Sequence, residues 1–209
     1  MAEDAHVVVQ VNVAPDTDPP NPRTSYDNLG TMVCFHRRYT LGDVGGAIKG
    51  SRHQWNNTVD DAQEFKVWIE QQIKRGDVVA LPLYLLDHSG ITMSTDPDRF
   101  RAVDSHGWDW GQVGWIYATS ETIRKEFSLK RNITKRKRAL VGAVLQDEVE
   151  LYDRYLCGGY YLYSVSDGNN DVVDSCCGFD DETCAKEEAL RVATHYLREQ
   201  LGLSEESKA

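Results

Sequence analysis

The hydrophobic pattern of the chain opens on an alternation. From His6 to Val13 one alternating face carries Val7, Val9, Val11 and Val13, and only Val8 interrupts the polar face opposite. A half-buried β-strand follows from that period. From Ala14 to Gly30 the pattern breaks, with Pro15, Pro19, Pro20 and Pro22 set among Asp16, Asp18, Asn21, Asp27 and Asn28. In such a composition neither a helix nor a strand ladder persists. A loop of this length in a compact domain is either functional or linker-like. Thr31 to Tyr39 reads as a second strand, and Gly42, Gly45, Gly46 and Gly50 mark a turn-rich stretch after it. The period then changes: Val59, Ala62, Phe65, Ile69 and Ile73 form a helical stripe behind Thr58 as N-cap, ending at Gly76.

Val78 to Leu86 is apolar almost throughout, as a central strand buried on both faces requires, although Pro82 argues against the middle of a ladder. Ile91 to Thr95 is predicted to pair back after the turn Asp87-His88-Ser89-Gly90, and Gln112 to Thr119 forms a further strand. Ser120 caps a short helix through Phe127, and Thr134 a longer one to about Tyr155 with Leu140, Val144, Leu151 and Tyr155 on one side. Tyr160 to Ser166 and Asp171 to Cys176 flank Asp167-Gly168-Asn169-Asn170, a hairpin signal. A last helix runs from near Asp180 or Asp181 to about Leu201, with Gly202 as its stop.

The order β-β-α-β-β-β-α-α-β-β-α groups strands instead of alternating them strictly with helices. It predicts an α+β fold: a mixed or antiparallel sheet with about three to four helices, closing in a helix-hairpin-helix unit. The 209 residues read as one domain, with a possible subdomain boundary near 128–134. The longest apolar run is the nine residues from Val78 to Leu86, short of the roughly 20 that cross a bilayer, so no membrane association is expected. The start, Met-Ala-Glu-Asp-Ala-His, has neither the basic nor the apolar part of a secretory signal. A cytoplasmic protein is the expectation, with Cys34, Cys157, Cys176, Cys177 and Cys184 as reduced thiols.

Charge is unevenly spread. There are 23 basic against 33 acidic residues, a net charge of −10, yet six of the basic ones (Lys130, Arg131, Lys135, Arg136, Lys137, Arg138) fall within 130–138 with no acid among them. They crowd a predicted helix start, where the dipole disfavours cations by a few tenths of a kcal/mol each. An acidic partner would account for that placement: nucleic-acid phosphate, an acidic protein face, or the acidic remainder of a second copy.

Four further constellations carry possible chemistry. On a strand, Cys34, His36 and Arg38 share a face, so a thiol nucleophile and an imidazole base could meet, their Cα atoms about 6.6 Å apart. Asp87 and His88 lie at the end of the most apolar strand, where side chains project into clefts. His36, Asp87, His88, Asp104, His106 and Asp109 are donors that a divalent metal accepts, but no pair has the spacing that fixes one on a helix. The bland alternative is a turn through Asp87, Ser89 and Gly90. Cys157, Cys176, Cys177 and Cys184 are four thiols without the paired Cys-x-x-Cys spacing of zinc ribbons. No metal and no cofactor are assigned. Finally, residues 108–117 hold three Trp and a Tyr, and Trp108 and Trp110, outside the predicted strand, are candidate exposed anchors.

Two stretches, Tyr26-Asp27-Asn28-Leu29-Gly30-Thr31-Met32-Val33-Cys34-Phe35-His36-Arg37-Arg38-Tyr39 and Leu81-Pro82-Leu83-Tyr84-Leu85-Leu86-Asp87-His88-Ser89-Gly90-Ile91-Thr92-Met93, stand beside Trp-Asp-x-Gly-Gln-Val-Gly at 108–114 and Asp174-Ser175-Cys176 followed by Gly178-Phe179. In these the chain, from about Asp18 to His195, resembles a family of proteins from bacteriophages and bacterial mobile elements to which no activity attaches. Members of that family carry Ser where Trp110 stands and Trp where Cys177 stands, which counts against a special role for either and against zinc. The resemblance implies an accessory protein acting on host proteins or host defences.

The leading expectation is therefore a cytoplasmic accessory protein that binds a host protein or protein complex, as an inhibitor of a host defence, through Trp108, Trp110 and Lys135, Arg136, Lys137 and Arg138. The rival is a hydrolase or nuclease built on Cys34, His36, Asp87 and His88. A third reading is a nucleic-acid-binding module through the 130–138 cluster.

Overall fold

The computed structural model describes residues 7–43, 59–130 and 132–203. In chain order the elements are β1 (Val9–Pro15), α1 (Pro22–Ser25), β2 (Thr31–Cys34), α2 (Val59–Arg75), β3 (Val78–Asp87), β4 (Ile91–Ser94), α3 (Asp98–Arg101), β5 (Trp110–Thr119), α4 (Ser120–Glu126), α5 (Lys135–Leu156), β6 (Tyr161–Asp167), β7 (Val172–Phe179) and α6 (Glu182–Gln200). Without the one-turn helices α1 and α3, that is the predicted order. The fold is α+β, and the described residues form two sheets, both antiparallel throughout. The expected cap Thr58, the glycines at 45, 46 and 50, and Arg131 lie outside the described residues.

The chain divides into two compact units, one formed by 1–20 with 158–209 and the other by 21–157. The first is a three-stranded sheet ordered β1-β6-β7. Val9, Val11 and Val13 of its first strand pack with Tyr163, Val165 and the small residues Ala189 and Ala193 of α6. The hairpin forms on the predicted turn, where the Asp167 carboxylate accepts from the amides of Asn169 (2.8 Å) and Asp171 (3.0 Å). α6 starts at Asp181, which accepts from the amides of Thr183 and Cys184, and stops before Gly202 at φ 68°. The N-terminal strand, not α5, thus completes this unit. The expected boundary at 128–134 falls inside the other unit, between α4 and α5.

That larger unit is a sheet ordered β2-β5-β3-β4. Alternation sends Met32, Leu83, Leu85 and Ile116 to one face, against Val141, Leu145, Val149 and Tyr152 of α5. Val33, Val78 and Tyr117 go to the other, against Phe65 and Ile69 of α2. Burial on both faces is what the near-continuous apolar run of β3 requires. Pro82 pairs with Trp115 of β5, while β4 reaches only from Tyr84 to Asp87, so the proline sits where β3 has no second neighbour. The buried stripe of α5 is set by Val141, Leu145, Val149 and Tyr152, one helical position off the predicted one, and Leu140 is 46 % exposed. The outer edge of β4 is closed by side chains: the Met93 amide donates to Asp153 Oδ1 (2.6 Å) and Arg99 to Asp153 Oδ2 (2.9 Å). A sealed edge cannot recruit another strand.

The Pro/Asp segment is not wholly irregular. Asn21 caps α1 by accepting from the Arg23 amide, with Pro22 at the first helical position, where a missing N–H costs nothing. This corrects the expectation that no helix persists there. Among the described residues no helix is long and apolar enough to cross a membrane.

Candidate functional site

The Cys34/His36 pairing does not form, because β2 ends at Cys34. Cys34 points into the core, 2 % exposed, and its thiol is pushed up to about 12 by burial, with the charge of Asp43 adding and Arg23 opposing. A thiol so far from ionisation is no nucleophile at neutral pH. Beyond Cys34 the chain turns, and His36 organises the turn: its Nδ1 accepts from the amides of Arg38 (3.3 Å) and Tyr39 (3.2 Å). Its ring stacks on Tyr39 at 5.0 Å and 11°. An accepting Nδ1 places the proton of the neutral ring on Nε2. Burial holds the His36 pKa below its ordinary 6.5, with Asp87 working against the shift and Arg38 and Arg37 with it. His36 and Arg38 thus leave the sheet that keeps Cys34, and the predicted catalytic set is split.

Asp87 ends β3 and ties the turn down: Oδ2 accepts from Arg38 Nη1 at 3.0 Å and Oδ1 from the Tyr39 hydroxyl at 3.2 Å. His88, in the β3–β4 turn, lies with Nδ1 2.9 Å from Asp109 Oδ2. The bland turn also exists, with the His88 amide donating to the Gly90 carbonyl and Ser89 at φ 55°. Among the described residues no three His, Cys, Asp or Glu side chains converge as a metal site, which removes both the His/Asp set and the four-thiol zinc. All five cysteines are free thiols.

Asp104, expected as a possible metal ligand, is a loop organiser. Oδ1 accepts from the amides of His106 (3.0 Å) and Gly107 (3.2 Å), and Oδ2 from those of Trp108 (2.6 Å) and Asp109 (3.0 Å). The Asp109 amide, and then those of His106, Trp108 and Gly107, hold the Asp104 carboxyl below its usual range, with burial opposing. The loop presents Trp108 to solvent at 85 % exposure. Trp110 behaves differently. It begins β5, donates from Nε1 to the Asp104 carbonyl (2.7 Å), and packs on Tyr84 and Phe100 at 6.2 Å each. It is a half-buried staple of the loop, not the exposed anchor expected.

Replacing Asp104 by Asn leaves one accepting oxygen for four amides. The expected result is faster hydrogen exchange at 106–109 without a change in the sheet amides. The pH sign follows from the depressed pKa. In the wild-type chain the protection of 106–109 is intact above the ordinary carboxyl value of 3.8 and is lost only as pH falls through the lower folded value. Unchanged exchange in Asp104→Asn would remove Asp104 from this role.

The His36 turn and the Asp104 loop form the rim of an open cleft of about 950 Å³, which His36, Arg37, Arg38, Asp87, Trp108, Asp109 and Trp110 line over a floor of Phe35, Leu85 and Val113. Four sequence-predicted site residues, His36, Asp87, Trp108 and Trp110, therefore do share one site, but as walls of a cleft. Arg37 and Gln112, also in the lining, stand in the motif stretches of the sequence, which assigned them no chemistry.

The basic cluster is half absorbed by the fold. Arg138 donates to the carbonyls of Gly76 (2.6 Å) and Val78 (3.3 Å), so it caps the C-terminal end of α2. Lys137 Nζ sits 4.0 Å over the Phe127 ring. Lys135 and Arg136 are exposed, and none of the four lines the cleft. For Lys137 and Arg138 the unfavourable cation placement at the α5 start is thus compensated within the chain. The chain matches no family model, no curated protein and no solved structure.

Proposed function

We propose that this protein acts by binding, and that the cleft walled by the His36 turn and the Asp104 loop is its recognition site. One observation carries the reading: Trp108 stands 85 % exposed on a loop whose backbone Asp104 fixes through four hydrogen bonds. A large ring left in solvent on a pre-ordered support gains burial when covered and loses little freedom in doing so. Trp and Arg are also the residue types that dominate binding hot spots, and Arg37 and Arg38 stand in the same cleft. The catalytic alternative is weakened because Cys34 is a buried, un-ionised thiol, and the 130–138 alternative because Lys137 and Arg138 serve internal contacts. The phage and mobile-element resemblance supplies the setting: an accessory protein in a host cytoplasm, holding a host protein or protein complex and blocking a defence system.

The test is affinity capture from host lysate with the wild-type chain and with Trp108→Ala. The wild type is expected to retain a stoichiometric partner, and the variant to bind it about tenfold more weakly or worse, with an unchanged circular dichroism spectrum. Equal capture by both proteins overturns the reading.

A further inference from the structure

Hydrogen-bonding capacity in the cleft is one-sided. Its acceptors are partly committed: both Asp87 oxygens are taken by Arg38 and Tyr39, and Asp109 Oδ2 by His88, which leaves Asp109 Oδ1 as the one open carboxylate oxygen among the described lining residues. Asp104, behind the rim, spends its carboxylate on four amides. Its donors are not. Among the described residues Arg37 makes no ion pair and Arg38, 71 % exposed, hydrogen-bonds from its guanidinium only through Nη1, and His36, accepting at Nδ1, offers Nε2–H. A ligand here meets guanidinium and imidazole N–H groups beside one bare indole face. That combination selects an anion joined to a flat ring.

Resting on the binding reading above, we infer that the cleft takes a nucleoside phosphate, with its base stacked on Trp108 and its phosphate held by Arg37 and Arg38. Guanidinium forks match phosphate oxygens in pairs, and aromatic stacking accepts any base because every base has a π-face. Gln112 adds an edge contact: its Nε2 turns back to the Gly114 carbonyl (3.3 Å), leaving Oε1 as acceptor for an exocyclic amine. The volume, about 950 Å³, is at the upper end of small-ligand sites. The same chemistry reaches the cleft as a free nucleotide or as a unit of a single strand. A long phosphate track is opposed by the net charge of −10, so the footprint is short. In a single strand, two neighbouring phosphates, one on each arginine, give a slope of log affinity against log salt of about −1.4, whereas engagement of the six-residue basic cluster would give about −4.

Tryptophan fluorescence of the full chain is titrated with AMP, ATP, a 12-residue oligothymidylate, the matching duplex, and a phosphotyrosine peptide. Saturable quenching by the nucleotides or the oligothymidylate is expected, weakened about 10- to 100-fold in Trp108→Ala and in Arg37→Ala. Both replaced side chains are exposed, so fold is not at stake, and circular dichroism checks it. Similar affinity for AMP and for oligothymidylate identifies a free nucleotide as the ligand; oligothymidylate tighter by about a hundredfold, with a slope near −1.4, identifies a single strand. No saturable quenching, quenching untouched by both substitutions, a slope near −4, or a phosphotyrosine peptide that binds as well as AMP overturns the inference. A protein partner captured only when Trp108 is present, with no nucleotide binding, overturns this inference and leaves the binding reading standing. Absence of Trp108-dependent binding in capture and in titration alike removes both.

Discussion

Replacing Arg23 by Ala is expected to destabilise the 21–157 unit by about 3–5 kcal/mol, the usual cost of stranding the partners of a buried charge. The side chain is 1 % exposed and spends all five N–H donors. Nε and Nη2 grip the two Asp43 oxygens at 2.9 and 2.8 Å. Nη1 reaches Asn28 Oδ1 and Glu148 Oε2 at 3.0 and 2.9 Å, and Nη2 also reaches the Gly30 carbonyl at 2.7 Å. Burial works to lower the Arg23 pKa, and the hydrogen bonds and charges of Asp43 and Glu148 outweigh it and raise it. The two acids are shared with the backbone, since Glu148 accepts from the amides of Leu29 and Gly30, and Asp43 from that of Met32. Without the guanidinium both carboxylates, 25 % and 12 % exposed, lose the counter-ion they share. Arg23→Lys keeps the charge but has three donors for five bonds and no fork, so it should fall between wild type and Ala. Denaturant unfolding followed by the fluorescence of Trp68 and Trp115 measures the loss. A cost below about 1 kcal/mol would mean that the two carboxylates find water or each other's proton when the arginine is gone.

This network also explains the composition of the Tyr26–Gly30 stretch. Asn28 accepts from Arg23 while its Nδ2 donates to the carbonyls of Pro22 and Tyr26. A Cβ at Gly30 would lie 2.5 Å from Leu145 Cδ2. The stretch is a structural clasp on α5, not a catalytic motif. Nothing in the sequence marked Arg23, because its partners lie 20 and 125 residues away and a lone arginine in a proline-rich loop has no periodicity to betray it. By contrast β1, the β6–β7 hairpin and α6 were legible, each being fixed by local signals: a period of two, a four-residue turn, a capping aspartate. The phase of α5 was not, since both Leu140 and Val141 satisfy a 3.6-residue stripe and only the facing sheet chooses between them. At the site, Asp87 and Trp108 were legible as polar and aromatic groups at strand ends. Cys34 was misread because strand propensity runs on past it through Phe35 and Tyr39. The His36 side chain, bonding the amides of Arg38 and Tyr39, overrides that propensity with a turn.

The second large effect lies at Gly114. Ala at this position should cost about 3 kcal/mol or more and abolish ligand binding in the cleft together with stability. In the β2–β5 ladder Gly114 faces Cys34, and a Cβ built on it would stand 1.9 Å from the Val33 carbonyl oxygen and 3.0 Å from the Cys34 Cα. Both are backbone atoms, so no side-chain rotation relieves the overlap; β2 itself must move away from β5. The next ladder bond, from the Phe35 amide to the Val113 carbonyl at 2.7 Å, is the last before the chain leaves for the His36 turn. Moving β2 therefore carries His36, Arg37 and Arg38 away from Trp108, whose loop is anchored at the start of β5 instead. The paired control is Gly111→Ala on the same strand, where a Cβ meets nothing within 4 Å and the expected change in stability is within about 0.5 kcal/mol. Thermal unfolding of the two variants separates close approach from the general cost of altering a strand glycine. If Gly114→Ala unfolds with the Gly111→Ala variant and keeps Trp108-dependent quenching, β2 yields without moving the cleft wall. The cleft would then not depend on the β2–β5 contact.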